Sequence, residues 1–302
     1  MPEQTEAPKT QFEKRQQPDL RQVYSAEKIE KVPYATVWEG EITDNQCEFQ
    51  VIPDVFETAP EIKQVRQQLI EFQTYGKTYR NDPKARLSEF SINQNGAPIL
   101  TFQKVKYADY IVTNNSMEIV PTGSTQTIRE ILEPGPRLKT LSESKCSNHL
   151  GLNCLVLTAD NKIILQRAGM QKITGGGQTT SSASGAMDFK ESFVNPFECM
   201  QAELFEEIGL TQEETAEIKA IAIGRELARG GKPEMFFILR TNLIAQEILD
   251  RQPNDPDREV ASRFEVEVTE EKARELIEDQ NTSQSTKAAL HYLSRYLQRQ
   301  VT

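Results

Sequence analysis

Residues 195–210 read NPFECMQAELFEEIGL. Asn195 is a good helix N-cap, Pro196 suits the first helical position and Gly209 marks a stop. At ~100° per residue, Phe197, Met200, Leu204 and Ile208 fall on one narrow apolar face, which predicts packing against a sheet. Glu203, Glu206 and Glu207 stand at i, i+3 and i+4, rotated away from that face. Like charges at this spacing repel by roughly a few tenths of a kcal/mol per pair. A hard divalent cation such as Mg²⁺ or Mn²⁺, which favours oxygen ligands, would offset the repulsion. On its own, however, so short an acidic pattern is more often a solvated helix face.

The flanks supply context. Upstream, GLNCLVLTADNKIILQRAG (151–169) reads as two apolar strands around ADNK, a hairpin signal. KITGGGQTTSSASGAMDF (172–189) reads as a long Gly/Ser/Thr loop. Downstream, IKAIAIGREL and KPEMFFILRTNL predict two strands around ARGG. SRFEVEVTEEKARELIED then predicts a strand and a helix. A final amphipathic helix follows, its stripe of Leu290, Leu293, Tyr296 and Leu297 expected to be core. This alternation predicts an α/β (α+β) class with helices on the faces of a mixed sheet.

Earlier in the chain, residues 1–22 are polar, Pro/Gln-rich and aperiodic, and are expected to be a disordered tail. Residues 23–145 predict a small mixed α/β region. Its strands are TVWEGEI and CEFQVI, with NQ between them suiting a turn, and a further pair around Asn95-Gly96. Its helices are PEIKQVRQQLIEFQTYG, stopped at Gly76, and STQTIREILE. The break at PGP (134–136) and the polar run after it place a boundary near residue 145, leaving 146–302 as the second domain.

Composition limits function. The chain has 302 residues, 37% hydrophobic and 26% charged, enough for one large domain or two moderate ones. A net charge of −10 argues against general nucleic-acid binding but permits a small phosphorylated substrate bridged by metal ions. With two histidines, His-based catalysis has little to draw on. The four cysteines show no C-x-x-C spacing and are expected to be free thiols in a reducing compartment. No secretory h-region and no membrane-spanning run is present, so a cytoplasmic protein without membrane contact is expected.

Gly185, followed by AMDFK and Glu191, and then Glu203-Leu204-Phe205-Glu206-Glu207-Ile208-Gly209-Leu210, together resemble the signature of the Nudix hydrolases. The motif covers about 26 residues, and the order of elements over roughly 150–300 fits the Nudix α/β/α sandwich. Two positions depart from the pattern. Ten residues separate Glu191 from the arginine position where the family has seven, and that position is Ala202, so the usual brace for the glutamates is missing. The stretches KYADYIVTNNS, GLNCLVLTADNKIILQRAG and IGREL-ARGG-KPEMFFILRT look like the Nudix proteins that cleave UDP-glucose and UDP-galactose and carry an N-terminal extension.

The resemblance implies Mg²⁺- or Mn²⁺-dependent hydrolysis of a nucleoside diphosphate-linked substrate. It implies Glu203, Glu206 and Glu207 as the metal set, with Glu203 alternatively the general base. The carbonyl near Gly185 would complete the coordination, and Glu191 is a ligand or supporting candidate. A catalytically inactive nucleotide sensor is the alternative, as is a Nudix hydrolase acting on ADP-ribose or another nucleotide. Weaker substrate-binding candidates are Glu234, Arg225 and Arg167, whose guanidinium forks suit phosphate. Each is also readable as an ordinary strand or ion-paired residue. Lys172 and Gly175–Gly177 could approach phosphates, or form a surface insertion. Tyr107, Asp109 and Asn114 could touch a sugar or base, with core packing the default. The N-terminal region is left to cover the site, bind the leaving group or support a homodimer.

Overall fold

The computed structural model describes residues 12–75, 79–170, 176–190, 194–254 and 260–301. The N-terminal part contains β1 (Glu13–Lys14), α1 (Leu20–Val23), β2 (Tyr34–Ile42), β3 (Glu48–Val55), α2 (Pro60–Thr74), β4 (Pro83–Ile92) and β5 (Pro98–Lys106). It continues with α3 (Tyr107–Val112), β6 (Ile119–Val120) and α4 (Ile128–Leu132). The remainder holds β7 (Gly151–Leu157), β8 (Lys162–Ala168), β9 (Thr179–Thr180), β10 (Ala183–Ala186) and α5 (Pro196–Ile208). After it come β11 (Lys219–Glu226), β12 (Lys232–Arg240), α6 (Ala245–Leu249), β13 (Val260–Glu267), α7 (Glu270–Glu278) and α8 (Gln284–Val301).

The large sheet runs β13-β8-β7-β12-β11-β2, with β10 on β7 and β9 on β8. β7 and β12 are parallel and their other pairings are antiparallel, so the sheet is mixed. Both central strands are apolar, and β7 is buried along its whole length, as a strand covered on both faces must be. On one face, Phe197, Met200, Leu204 and Ile208 of α5 join Leu152, Val156, Met235 and Phe237. The same core takes in Leu87, Leu100 and Phe102 of the small sheet β3-β5-β4. On the other face, Leu290, Tyr292, Leu293 and Tyr296 of α8 pack on Leu155, Phe236 and Ile238. The fold is therefore mixed α/β with helices on both faces of the sheet, and both predicted apolar helix stripes are core. No described helix is long and apolar enough to cross a membrane.

Four features differ from the linear expectation. Within the expected tail, residues 12–22 carry structure: β1 pairs with β6, and Phe12 packs on Phe72 at 5.5 Å. Residues 1–11 and the Gly76 stop lie outside the described residues. Second, β2 and β3 do not pair. A 3-10 turn at Asp44–Gln46, closed by Gln46 Oε1 accepting from Thr43 N at 2.8 Å, sends them into different sheets. Third, β2 is the edge strand of the large sheet, so that sheet crosses the boundary expected near 145.

The fourth lies in the Gly/Ser/Thr stretch. β7 and β8 pair directly only at Val156–Ile164 and Leu157–Ile163. Beyond that point they part, and β9 and β10 are inserted, one on each strand. Ser182 sits at the fork, its hydroxyl accepting from Val156 N at 2.7 Å and donating to the Ile164 carbonyl. Small side chains fit this wedge, and their lack of apolar period hid the strands.

Candidate active site

α5 is built as its sequence suggests. The Asn195 side chain accepts from Phe197 N at 2.9 Å, Pro196 occupies the first turn, and Gly209 closes the helix at φ +73°. The Gly209 and Leu210 amides return to the carbonyls of Phe205 and Leu204, a ladder closure that needs the left-handed residue. Asn195 also donates its amide to both oxygens of Asp44 at 3.0 Å, tying the helix start to the turn between β2 and β3. At the other end, Arg251 donates to the Gly209 carbonyl at 2.8 Å. A cation there complements the helix dipole.

The three glutamates are not equivalent. Relative to Glu203, Glu207 is rotated by about +40° and Glu206 by about −60°. Glu203 and Glu207 turn toward β10, whereas Glu206 faces solvent. Glu207 is 5% exposed, and its Oε2 accepts from Ser184 N at 3.2 Å. Glu203 lies against Gly185: a Cβ at that position would stand 1.8 Å from Glu203 Oε1. The absence of a side chain at Gly185 is what lets the carboxylate approach the backbone in this position.

Hard oxygen donors therefore converge on β10 from two glutamates. Among the described residues, no group of three or more His, Cys, Asp or Glu side chains is close enough to hold a metal ion. Glu191, Lys172 and Gly175 lie outside the described residues. Ala202 is exposed on the outer surface of α5. Two concavities, of about 470 Å³ between α7, α8 and β13 and about 410 Å³ around Glu57–Lys63 and Lys145, are not lined by α5.

The other predicted site residues each have partners of their own. Arg225 is three strands from β10 in the sheet order. It is 7% exposed and donates from Nε to the Gly231 carbonyl at 2.8 Å and from Nη1 to the Lys139 carbonyl at 2.6 Å, bracing the connector between the two halves. Arg167 on β8 donates to the Gly177 carbonyl at 3.2 Å. Tyr107 stacks on His149, with ring centres 5.9 Å apart. Asp109 pairs with Arg66 at 2.6 Å. Asn114 is 1% exposed and exchanges two hydrogen bonds with Asn148.

Glu234 is nearer. It stands opposite Gly151, which in turn stands opposite Ala186 of β10. It is buried, accepting from Tyr34 Oη at 2.8 Å and Lys232 Nζ at 3.0 Å. Around it lie Glu226, Arg229, Tyr110 and His149. Burial raises the pKa of Glu226 and of Tyr34, and pushes the His149 imidazole well below its usual range, with the positive charges of Lys232, Lys84 and Arg229 adding to that effect. Tyr34 and His149 carried no recognisable sequence signal, since each belongs to the cluster through tertiary contacts alone.

No protein-family model and no curated protein sequence matches this chain. Among solved structures it is similar to DR0079 from Deinococcus radiodurans, at 13% identity and a TM-score of 0.35, over 46% of this chain and 80% of that one. It is also similar to a MutT protein from Methanosarcina mazei Go1, at 12% identity and a TM-score of 0.33, over 49% of this chain and 93% of that one.

Proposed function

We propose that the chain is a Nudix-type hydrolase that uses Mg²⁺ or Mn²⁺ to cleave the diphosphate of a nucleoside diphosphate-linked substrate. A nucleotide sugar such as UDP-glucose is the substrate class proposed, giving a nucleoside monophosphate and a sugar 1-phosphate. The observation that carries this reading is the approach of Glu203 and Glu207 to the β10 backbone at Gly185 and Ser184. It joins both ends of the sequence motif in space. The oxygens of Glu203, Glu207 and the Gly185 carbonyl suit a hard cation. A third carboxylate would come from Glu206 or from Glu191. A divalent ion held there would neutralise phosphate oxygens and lower the pKa of an attacking water. Glu203, half-exposed beside the strand, is the proposed general base, with a ligand role the alternative. A net charge of −10 supports a small-molecule partner over nucleic acid, and four free thiols support a reducing, cytoplasmic setting.

Ala202 favours a second reading, a nucleotide sensor that binds without turnover. Incubation with UDP-glucose and Mg²⁺, with product identification, separates the two. UMP and glucose 1-phosphate are expected. Cleavage of ADP-ribose alone would reject the sugar-nucleotide assignment, and binding without cleavage across a diphosphate panel would favour the sensor. Glu207→Gln should lower turnover by orders of magnitude, Glu206→Gln should do so where Glu206 rather than Glu191 supplies the third carboxylate, and full activity in both would reject the metal site.

A further inference from the structure

The segment that leaves the carboxylate site is held from outside the large sheet. Residues 186–189 follow Gly185 and lead toward Glu191, and β4 of the small sheet runs alongside them. Ala85 N donates to the Met187 carbonyl at 2.9 Å and Phe189 N to the Pro83 carbonyl at 3.2 Å. Leu150 N donates to the Ala85 carbonyl at 2.8 Å, and Met187 N to the Leu150 carbonyl at 2.9 Å. The segment is thereby laced to both β4 and the start of β7. Side chains of the small sheet also cross the seam: Lys104 Nζ of β5 stands 5.9 Å from the centre of the Phe189 ring. Lys84 donates from Nζ to the Ala186 carbonyl at 3.3 Å and pairs with the Asp188 carboxylate. The Lys84 side chain is 16% exposed, so the ammonium sits in a sheltered position beside the residue that follows Gly185.

We propose that Lys84 is a positioning residue for the carboxylate site. By gripping the Ala186 carbonyl and Asp188 together, it fixes the path of the chain out of β10 and so holds the Gly185 backbone at Glu203 and Glu207. The small N-terminal sheet then acts as the jig that sets this strand: backbone bonds from β4 hold residues 187–189, and the lysine adds the grip on Ala186 and Asp188. A multi-donor group is needed because both groups gripped are oxygen acceptors, and a cation suits it because Asp188 is a carboxylate. Arginine can reach the same two acceptors and methionine cannot. The role in metal binding rests on the hydrolase reading above, whereas the grip on residues 186–188 does not.

The test compares the full-length protein with Lys84→Met and Lys84→Arg. Lys219→Met serves as the control, because it removes an ion pair with Glu41 on the far edge of the sheet. Amide exchange of residues 184–189 and calorimetric titration with Mn²⁺ alone are measured beside the melting temperature. Lys84→Met is expected to keep a melting temperature close to that of Lys219→Met, to exchange faster at 184–189, and to bind Mn²⁺ about 10-fold more weakly. Lys84→Arg is expected to restore both properties. Unchanged exchange at 184–189 in Lys84→Met overturns the proposal, as does failure of the arginine to restore it. If the parent protein binds no Mn²⁺, the hydrolase reading falls, and exchange alone decides whether Lys84 sets the strand. If exchange changes and Mn²⁺ affinity does not, the lysine holds the segment without serving the site, which also overturns the proposal.

Discussion

Gly185 and Glu203 occupy space that no larger pair could share. Gly185→Ala would force the methyl into Glu203 Oε1, so the carboxylate must swing away or β10 must shift. A displacement of about 1 Å at a catalytic group can cost about 100-fold in rate. Under the hydrolase reading proposed above, the expected outcome is a drop of that order in kcat/KM on the diphosphate substrate that the panel identifies, with the circular dichroism spectrum unchanged. The two neighbouring glutamates should separate by stability. Glu206 is solvent-facing, and Glu206→Gln should alter unfolding free energy by no more than ~0.5 kcal/mol. Glu207→Ala removes the acceptor for Ser184 N–H in a buried setting and should cost about 1–3 kcal/mol. Urea unfolding of the two variants checks this, and equal midpoints would contradict the geometry. The sequence made the glutamates visible as a set but could not rank them. Which carboxylate turns inward depends on where β10 lies, and no local pattern reports that.

At the scale of elements, α5 was legible because period, cap and stop agree with one another. Asn195→Ala should destabilise the protein by about 1 kcal/mol through the lost cap. Losing the two contacts to Asp44 adds to that, so Asp44→Ala should reproduce part of the effect in thermal melts. The two central strands β7 and β12 were also legible, since unbroken apolar runs report burial on both faces. β9 and β10 were not. TTSSASGA has neither apolar period nor bulk, and becomes strand only because β7 and β8 diverge and leave backbone groups to be paired. Arg225 shows the converse limit: an arginine at a strand end resembles a phosphate ligand by type, and in the fold its Nε donates to the Gly231 carbonyl of the β11–β12 turn and its Nη1 to the Lys139 carbonyl of the connector. The assignment of β2 and β3 to separate sheets depends on partners far along the chain, which strand propensity cannot specify.

The whole molecule carries a buried charge cluster whose proton balance sets a pH response. His149 is 2% exposed, its Nδ1 has no hydrogen-bond partner among the described residues, and burial depresses its pKa well below 6.5. The unfolded chain therefore binds a proton that the folded chain refuses. Stability is lost as pH falls through about 6.5, with a slope approaching ~1.4 kcal/mol per pH unit. His291 is shifted in the same direction by burial. A further loss follows as pH falls below about 4.5, because Glu214 is held down to about 2 by Arg251 and Glu30 to about 2 by Arg295. The raised carboxyls of Glu226 and Glu133 act in the opposite sense, losing stability as pH rises, so melting temperatures should rise between pH 5 and 7 less steeply than the histidines alone would give; His149→Gln should reduce that slope, and an unchanged slope would rule out the histidine as its source. The edge position of β2 has a consequence in time. Tyr34 meets its acceptor Glu234 across 200 residues of sequence. At roughly 5–20 residues per second, a ribosome leaves β2 without its partner strand for about 10–40 s. β2 thus emerges long before it can be paired, and its acidic residues Glu39 and Glu41 would keep that waiting edge soluble.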